Sequence, residues 1–336
     1  MQSPDGSAPS SPALSDNCEN NSPEEYHNVI ARSRWRILAQ ALQKCEVVPT
    51  MPSSVRRFQS YGLVSALPLE NLHEDSATWY EYRATIGQDL FSVLIRHPKR
   101  TFTATDLMGF NNTGNICVWP SEEVLAYYSL CNPNTFSNKS VLELGGGMSC
   151  LAGLMIGKYT SASKVLLTDG NVFSINNVHH ILVKNGFGNS SRVSSSVLKW
   201  GKRANSKVEF LTEELQSKPA SLKFDVIICA DCLFFDDARQ DLVQTIFDFI
   251  ADDGIALLTA PRRADTLDKF YDKACNAGFI CNLQEIYNDQ IWDRHLHLKA
   301  NHGESYNENI HYPLLLQLKK MSFYNSHQVD KSESVS

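Results

Sequence analysis

Gly145, Gly146 and Gly147 stand directly after Val141–Leu144, which reads as a short buried strand, and a helix-compatible run follows from about Cys150 to Tyr159. A strand, a glycine turn and a helix make a nucleotide-cofactor site for a physical reason. Glycine allows unusual backbone angles and close approach of a ligand, and the first turn of a helix offers unpaired N–H groups. A second strand is expected from Lys164 to Thr168 and ends in Asp169. That acid lies about 20 residues beyond the last glycine, the interval at which such sites place the carboxylate that binds ribose hydroxyls.

Two cofactor classes use this arrangement. A dinucleotide presents a pyrophosphate to the first helix and requires a third spaced glycine, as in G-x-G-x-x-G. Here the glycines are followed by Met148, Ser149 and Cys150, so that fingerprint is missing. S-adenosylmethionine has no phosphate and needs only a glycine-lined turn and a ribose-binding acid. The pattern favours a methyl donor.

The elements that must position these residues alternate along the chain. Strands are expected at 141–144, 164–168, 192–198, 223–230, 255–260, from Gly278, and at 312–320, with helices between them. Alternation of this kind means a mainly parallel sheet covered on both faces, an α/β Rossmann-like seven-strand fold. Ligands in such sheets bind beyond the C-terminal strand ends. Gly145, Asp169, Trp200 and Asp231 all fall at such ends. Ser121 is expected to cap a helix whose first turn carries Glu122 and Glu123, acids that suit its positive end. Trp119, two residues earlier, is either a core aromatic or part of the cofactor pocket.

Four segments are expected: a disordered tail over 1–25, a small α+β subdomain over 26–110, the catalytic domain over 111–320, and a flexible tail over 321–336. In the subdomain, 27–44 reads as an amphipathic helix flanked by Arg32, Arg34 and Arg36. A β-like piece spans Val55 to Leu63, and a strand at Leu90–His97 stops at Pro98. The 336 residues are 43% hydrophobic, enough for a large soluble core, and the net charge of −6 argues against a nucleic-acid surface. Nine scattered cysteines point to free thiols in a reducing compartment, with cytoplasm and nucleus as the expected location. Cys229 and Cys232 form a C-x-x-C without a partner pair, so no metal site is expected. No apolar run reaches the roughly 18 residues of a membrane span, and the signal-peptide pattern is missing.

Trp119, Glu143-Leu-Gly-Gly-Gly147, Thr168-Asp169, Trp200 and Asp231-Cys-Leu-Phe234 together resemble the seven-strand protein-lysine methyltransferases of methyltransferase family 16. The likeness runs from about Val55 to Lys320. Within that family, 112–115, 119–128, 150–155, 166–171 and 311–316 are similar to the members that act on calmodulin. The resemblance implies an S-adenosylmethionine-dependent enzyme that trimethylates one lysine of calmodulin, with oligomeric state undefined. It places Gly145 and Gly147 by the methionine part, Asp169 on the ribose, and Trp119, Trp200 and Ala230 around the adenosine. Glu143 orients the glycine loop, and Asp231 and Phe234 form the acid-x-x-aromatic motif at methyl transfer. One departure is Ser149, where many relatives carry another glycine.

On that reading Asp231 orients the amine, and Phe234 with Phe235 binds the methylated ammonium by cation–π contact. The alternatives are the same fold acting on another protein lysine, and a cofactor-binding scaffold without catalysis. An acidic substrate and an acidic enzyme repel, so docking calls for a local basic face. Candidates are Arg32, Arg34 and Arg36, Arg56 and Arg57, Lys99 and Arg100, and first of all Arg262 and Arg263, at a strand end on the active edge.

Overall fold

A computed structural model describes residues 58, 60–99, 117–201, 222–234, 236, 238–301 and 305–321. They belong to the second of two units, residues 48–336. The helical pattern at 27–44, the arginines at 32, 34, 36, 56, 57 and 100, Phe235, the motif at 112–115, the N-terminal tail and residues 322–336 lie outside the described residues.

Seven strands form one sheet: β4 (Ser140–Leu144), β5 (Lys164–Asp169), β6 (Val193–Val197), β7 (Phe224–Ala230), β8 (Ile250–Ala260), β9 (Phe279–Gln284) and β10 (Leu314–Lys320). Their spatial order is β6-β5-β4-β7-β8-β10-β9, with β10 antiparallel to both neighbours and the other pairs parallel. The order reverses at β4, where β5 lies on one side and β7 on the other. Such a switch point opens a crevice beyond the strand ends.

Both faces of the central strands are buried, and those strands divide their side chains between the faces with a period of two. Val141, Val226, Ile228, Leu257 and Leu315 join one core cluster. Leu142, Leu144, Ile227, Cys229, Leu258 and Leu316 join the other. The first cluster is closed by helices α1 (Pro120–Cys131), α2 (Leu151–Tyr159) and α3 (Val172–Lys184). The second is closed by α4 (Arg239–Phe249) and α5 (Thr266–Asn276).

Before α1 the described chain is an antiparallel sheet of β1 (Val64–Glu74), β2 (Ala77–Ile86) and β3 (Asp89–Pro98). β3 is the strand expected from the sequence, whereas residues 60–63, expected to be β-like, are irregular and precede β1. The sheet is clasped to the helices by side chains that hydrogen-bond strand backbone. The Asn185 amide both accepts from Leu94 N–H (2.9 Å) and donates to its carbonyl (2.7 Å). Tyr159 OH lies 2.7 Å from both the N–H and the carbonyl of Ser92.

Helix α1 starts two residues earlier than the sequence suggests. Trp119 is its cap position and Pro120 opens it, with no side chain capping the end. Glu122 and Glu123 are 6% and 4% exposed, and beyond the Trp119 N–H that Glu122 takes at the head of α1 the donors they bind lie on other elements. Glu123 accepts from the backbone N–H groups of Tyr61 (2.9 Å), Leu63 (2.7 Å) and Val64 (3.1 Å), fixing the start of β1. Glu122 accepts from Leu151 N–H (2.6 Å) and Ser149 hydroxyl (2.9 Å), so it caps α2. A carboxylate at a helix N-terminus is favourable on dipole grounds, and Glu122 serves two helices, closing the first turn of α1 through Trp119 N–H and capping α2.

Candidate active site

Gly145 and Gly147 have φ of +65° and +61°, the left-handed region that glycine adopts without steric cost. The loop they shape is held from three sides. Gly146 N–H donates to the Thr168 carbonyl at 3.0 Å. Gly147 N–H donates to Asp169 Oδ2 at 3.0 Å, and the other oxygen of Asp169 accepts from Asn171 N–H at 2.8 Å. Asn177, on α3, donates to the Met148 carbonyl at 2.8 Å and to the Arg96 carbonyl of β3 at 2.9 Å. The Ser174 side chain bonds the same carboxylate, which still has acceptor capacity left for a ligand donor.

A side chain at Gly145 would collide with its surroundings. A Cβ there would lie 2.7 Å from Cys232 Sγ and 2.9 Å from Trp200 Cζ2. The Trp200 ring therefore rests against the glycine turn, and the close backbone approach explains the glycine. Cys232 points its thiol at the Ala230 carbonyl, 3.2 Å away. Among the described residues no group of three or more metal-ligating side chains occurs. Trp119 faces a cavity of about 540 Å³, also lined by Phe58, Tyr82, His97, Val118 and Leu151. That cavity lies toward the β1–β3 sheet and does not include Asp169 or Asp231.

Three buried carboxyl groups surround the loop. Burial pushes Asp169 up to about 6, against the pull of the Asn171 and Gly147 N–H groups. Burial raises Glu122 to about 7, opposed by its bonds to Leu151 and Ser149. Glu143 is lifted to about 8, first by burial and then by the charge on Glu122. Its Oε1 accepts from Gly153 N–H at 3.3 Å, while Oε2 makes no hydrogen bond of normal geometry. Glu143 lies beneath the loop: its carboxyl carbon would be 3.0 Å from a Cβ on Gly146.

The raised value makes Glu143 a pH-dependent liability. An unfolded glutamate ionises near 4.5, the folded one near 8. Stability that this group contributes is present below pH 4.5 and lost as pH rises through 8, because unfolding releases its proton. Glu143→Gln is expected to flatten that slope. Between pH 5 and 7.5 the parent should lose about 3 kcal/mol more than the variant, at about 1.4 kcal/mol per pH unit. Urea titrations at both pH values check it, and parallel losses would refute it.

Asp231 follows β7, with φ of +55°. Its carboxylate meets the Arg263 guanidinium in a two-point ion pair, Oδ1 to Nη1 at 2.6 Å and Oδ2 to Nη2 at 2.8 Å. Arg263 also lies over the Phe234 ring, 5.9 Å from its centroid. The sequence marked Arg262 and Arg263 as a basic docking face. The structure corrects this: the Arg263 side chain is 18% exposed and engaged by Asp231, and Arg262 pairs with Asp268. Sequence reading also missed Asn177 as a loop brace and Glu122 as the cap of α2. A polar residue at a helix position that otherwise buries apolar groups was the signal available for Asn177.

The lysine methyltransferase family model matches residues 105–277. The chain belongs to the lysine methyltransferase family. The calmodulin-lysine N-methyltransferase of Arabidopsis thaliana is 32% identical to it over 308 residues, 85% of this chain and 95% of that one. The protein-lysine N-methyltransferase EFM3 of Chaetomium thermophilum is 26% identical over 263 residues, 74% of each chain. A methyltransferase crystal structure from Pyrococcus furiosus aligns with a TM-score of 0.41 at 15% identity, covering 59% of this chain and 83% of that one. The methyl donor of this lysine methyltransferase is S-adenosylmethionine. The glycine cradle, the remaining acceptor capacity of Asp169 and the adjoining Trp200 ring fit such a ligand.

Proposed function

We propose that this methyltransferase trimethylates one lysine of calmodulin. The observation that carries the reading is the likeness to the Arabidopsis enzyme, which extends over 95% of that protein. S-adenosylmethionine supplies a methyl group already activated on a sulfonium, so the protein's task is mainly positioning. Gly145 and Gly147 admit the amino-acid part of the donor, and Asp169 accepts from the ribose hydroxyls. Trp119, Trp200 and Ala230 line the adenosine side, with Glu143 supporting the loop from below. Asp231 accepts a hydrogen bond from the incoming amine and so aims its lone pair. The Phe234 face attracts the ammonium product, a contact worth about 0.5–2 kcal/mol.

Mass spectrometry of calmodulin incubated with enzyme and labelled S-adenosylmethionine tests the reading. A gain of three methyl groups on one lysine is expected. An unmodified calmodulin alongside methylation of a different protein would move the substrate assignment, and no transfer to any protein would leave a scaffold.

Asp231→Asn should lower turnover much more than cofactor affinity, because Asp231 stands at the strand end facing the amine and not on the adenosine side. Single-turnover rates with cofactor titration in parallel decide this. Equal losses in both would place Asp231 in cofactor binding.

A further inference from the structure

The pairing of Asp231 with Arg263 raises a chemical question. A lone carboxylate beside a lysine stabilises the ammonium, typically raising its pKa by about 1–3 units. The nucleophile must be the neutral amine, already only about one lysine in a thousand near pH 7.4. A bare Asp231 would therefore aim the amine and at the same time keep it protonated.

We propose that Arg263 is a positioning residue that cancels the charge of Asp231, so that the site receives the substrate lysine as its neutral amine. The inference rests on the proposed function, in which Asp231 meets the amine. Both Asp231 oxygens are engaged by the guanidinium, at 2.6 and 2.8 Å, yet each retains a lone pair for an N–H donor. The pair presents a dipole in place of a charge, and the guanidinium disfavours a second cation beside it. The geometry is built in. Asp231, Arg263 and Ala264 all have positive φ, at 55°, 43° and 62°, a conformation that costs a non-glycine residue energy. Arg263 N–H is anchored to the Asn309 carbonyl at 2.7 Å. The Asp231 side chain is 6% exposed, so its charge is poorly screened by water and the partner matters.

The other charged and titratable groups around Asp231 leave Arg263 in that role. Arg239 is held by the Leu233 carbonyl and Asp236, and Arg262 by Asp268. The neighbouring Cys229 and the charges of Asp231 and Asp169 act on the Cys232 thiol, which stays protonated well above its usual range. Asp169, raised to about 6, is ionised above pH 7.5. The raised values of Glu122 and Glu143 come first from burial, with charge contributions from Asp169 and, at Glu143, from Glu122.

In each transfer the amine lone pair forms the N–C bond while the donor's C–S bond breaks, its electron pair remaining on sulfur. After the first and second transfers the product ammonium releases one proton to water. The fraction of neutral amine therefore sets the acid limb of the rate profile.

The test is the pH dependence of kcat at saturating calmodulin and S-adenosylmethionine, which reports the bound amine, from pH 6.5 to 10.5, in the parent enzyme, Arg263→Gln and the double variant Asp231→Asn/Arg263→Gln. Binding of calmodulin to the cofactor-free proteins is measured over the same range. Arg263→Gln is expected to move the acid limb upward by about one pH unit or more. Its affinity for calmodulin, relative to the parent, should fall as pH rises, because the bare carboxylate prefers the ammonium. The double variant, with both charges gone, should return the limb to the parental pH although its rate is lower. An Arg263→Gln limb at the parental pH, or a loss equal at every pH, overturns the inference and leaves the substrate reading standing. Should Arg263→Gln fail to fold, a displaced limb in the double variant overturns it. A parent enzyme that methylates no calmodulin lysine refutes the proposed function, and the inference falls with it.

Discussion

Asp169→Ala is expected to lower affinity for S-adenosylmethionine at least about a hundredfold. Two hydrogen bonds from ribose hydroxyls to a charged acceptor contribute about 1.5–3 kcal/mol each. The same carboxylate also receives Gly147 N–H and Asn171 N–H, so its removal loosens the glycine turn as well. Asp169→Asn, which keeps one acceptor and loses the charge, should fall between parent and alanine. Calorimetric titration of each variant, after circular dichroism has established folding, gives the comparison. A folded alanine variant with parental affinity would remove Asp169 from the cofactor site.

Gly145→Ala should be the more damaging of the glycine substitutions. The new methyl would lie 2.7 Å from Cys232 Sγ and 2.9 Å from Trp200 Cζ2, on a backbone at φ +65°. Left-handed backbone costs an L-residue about 1–2 kcal/mol, and displacement of an indole ring and a buried thiol adds a similar amount. The ring that moves is also proposed to cover the adenosine, so cofactor affinity should drop more than a hundredfold. Gly186→Ala is the control. Its φ is +86°, but nothing lies within 4 Å of the added methyl, so only the backbone cost remains and cofactor affinity is kept. Thermal unfolding and cofactor titration on both variants separate strain from collision. Equal effects at the two positions would mean that the crowding at Gly145 is unimportant.

The seven-strand sheet was legible because its central strands β4, β5, β7 and β8 are buried on both faces and are rich in apolar residues bounded by turn residues. The cofactor edge was legible because Gly145, Asp169, Trp200 and Asp231 share the C-terminal strand ends. β1 and β2 were missed. In β2 the buried set is Ala77 and Trp79, then Tyr82 and Ala84, a phase change that breaks the period-two signal. The helix Asp289–Asn301 buries only Ile291 and His295 among its thirteen residues, too few for an apolar stripe. Arg263 was read as a surface charge because sequence carries no sign of where a guanidinium turns. Its partner lies 32 residues away on a different strand end. Glu122 and Glu123 fitted a local dipole argument well enough to hide their long-range bonds.

Those two adjacent acids make α1 intolerant of insertion or deletion. Successive residues on a helix point about 100° apart. Glu122 thereby reaches the start of α2, and Glu123 reaches the chain entering β1. Deleting one residue ahead of them and threading the helix through the same space would bring Glu123 to the α2 donors and Val124 to those of Tyr61, Leu63 and Val64. Three backbone N–H groups would then lose their acceptor, and Val124, which is fully buried, would leave the core. Length variation in this protein is thus expected at turns such as Gly87-Gln88 between β2 and β3, and substitution without length change in α1.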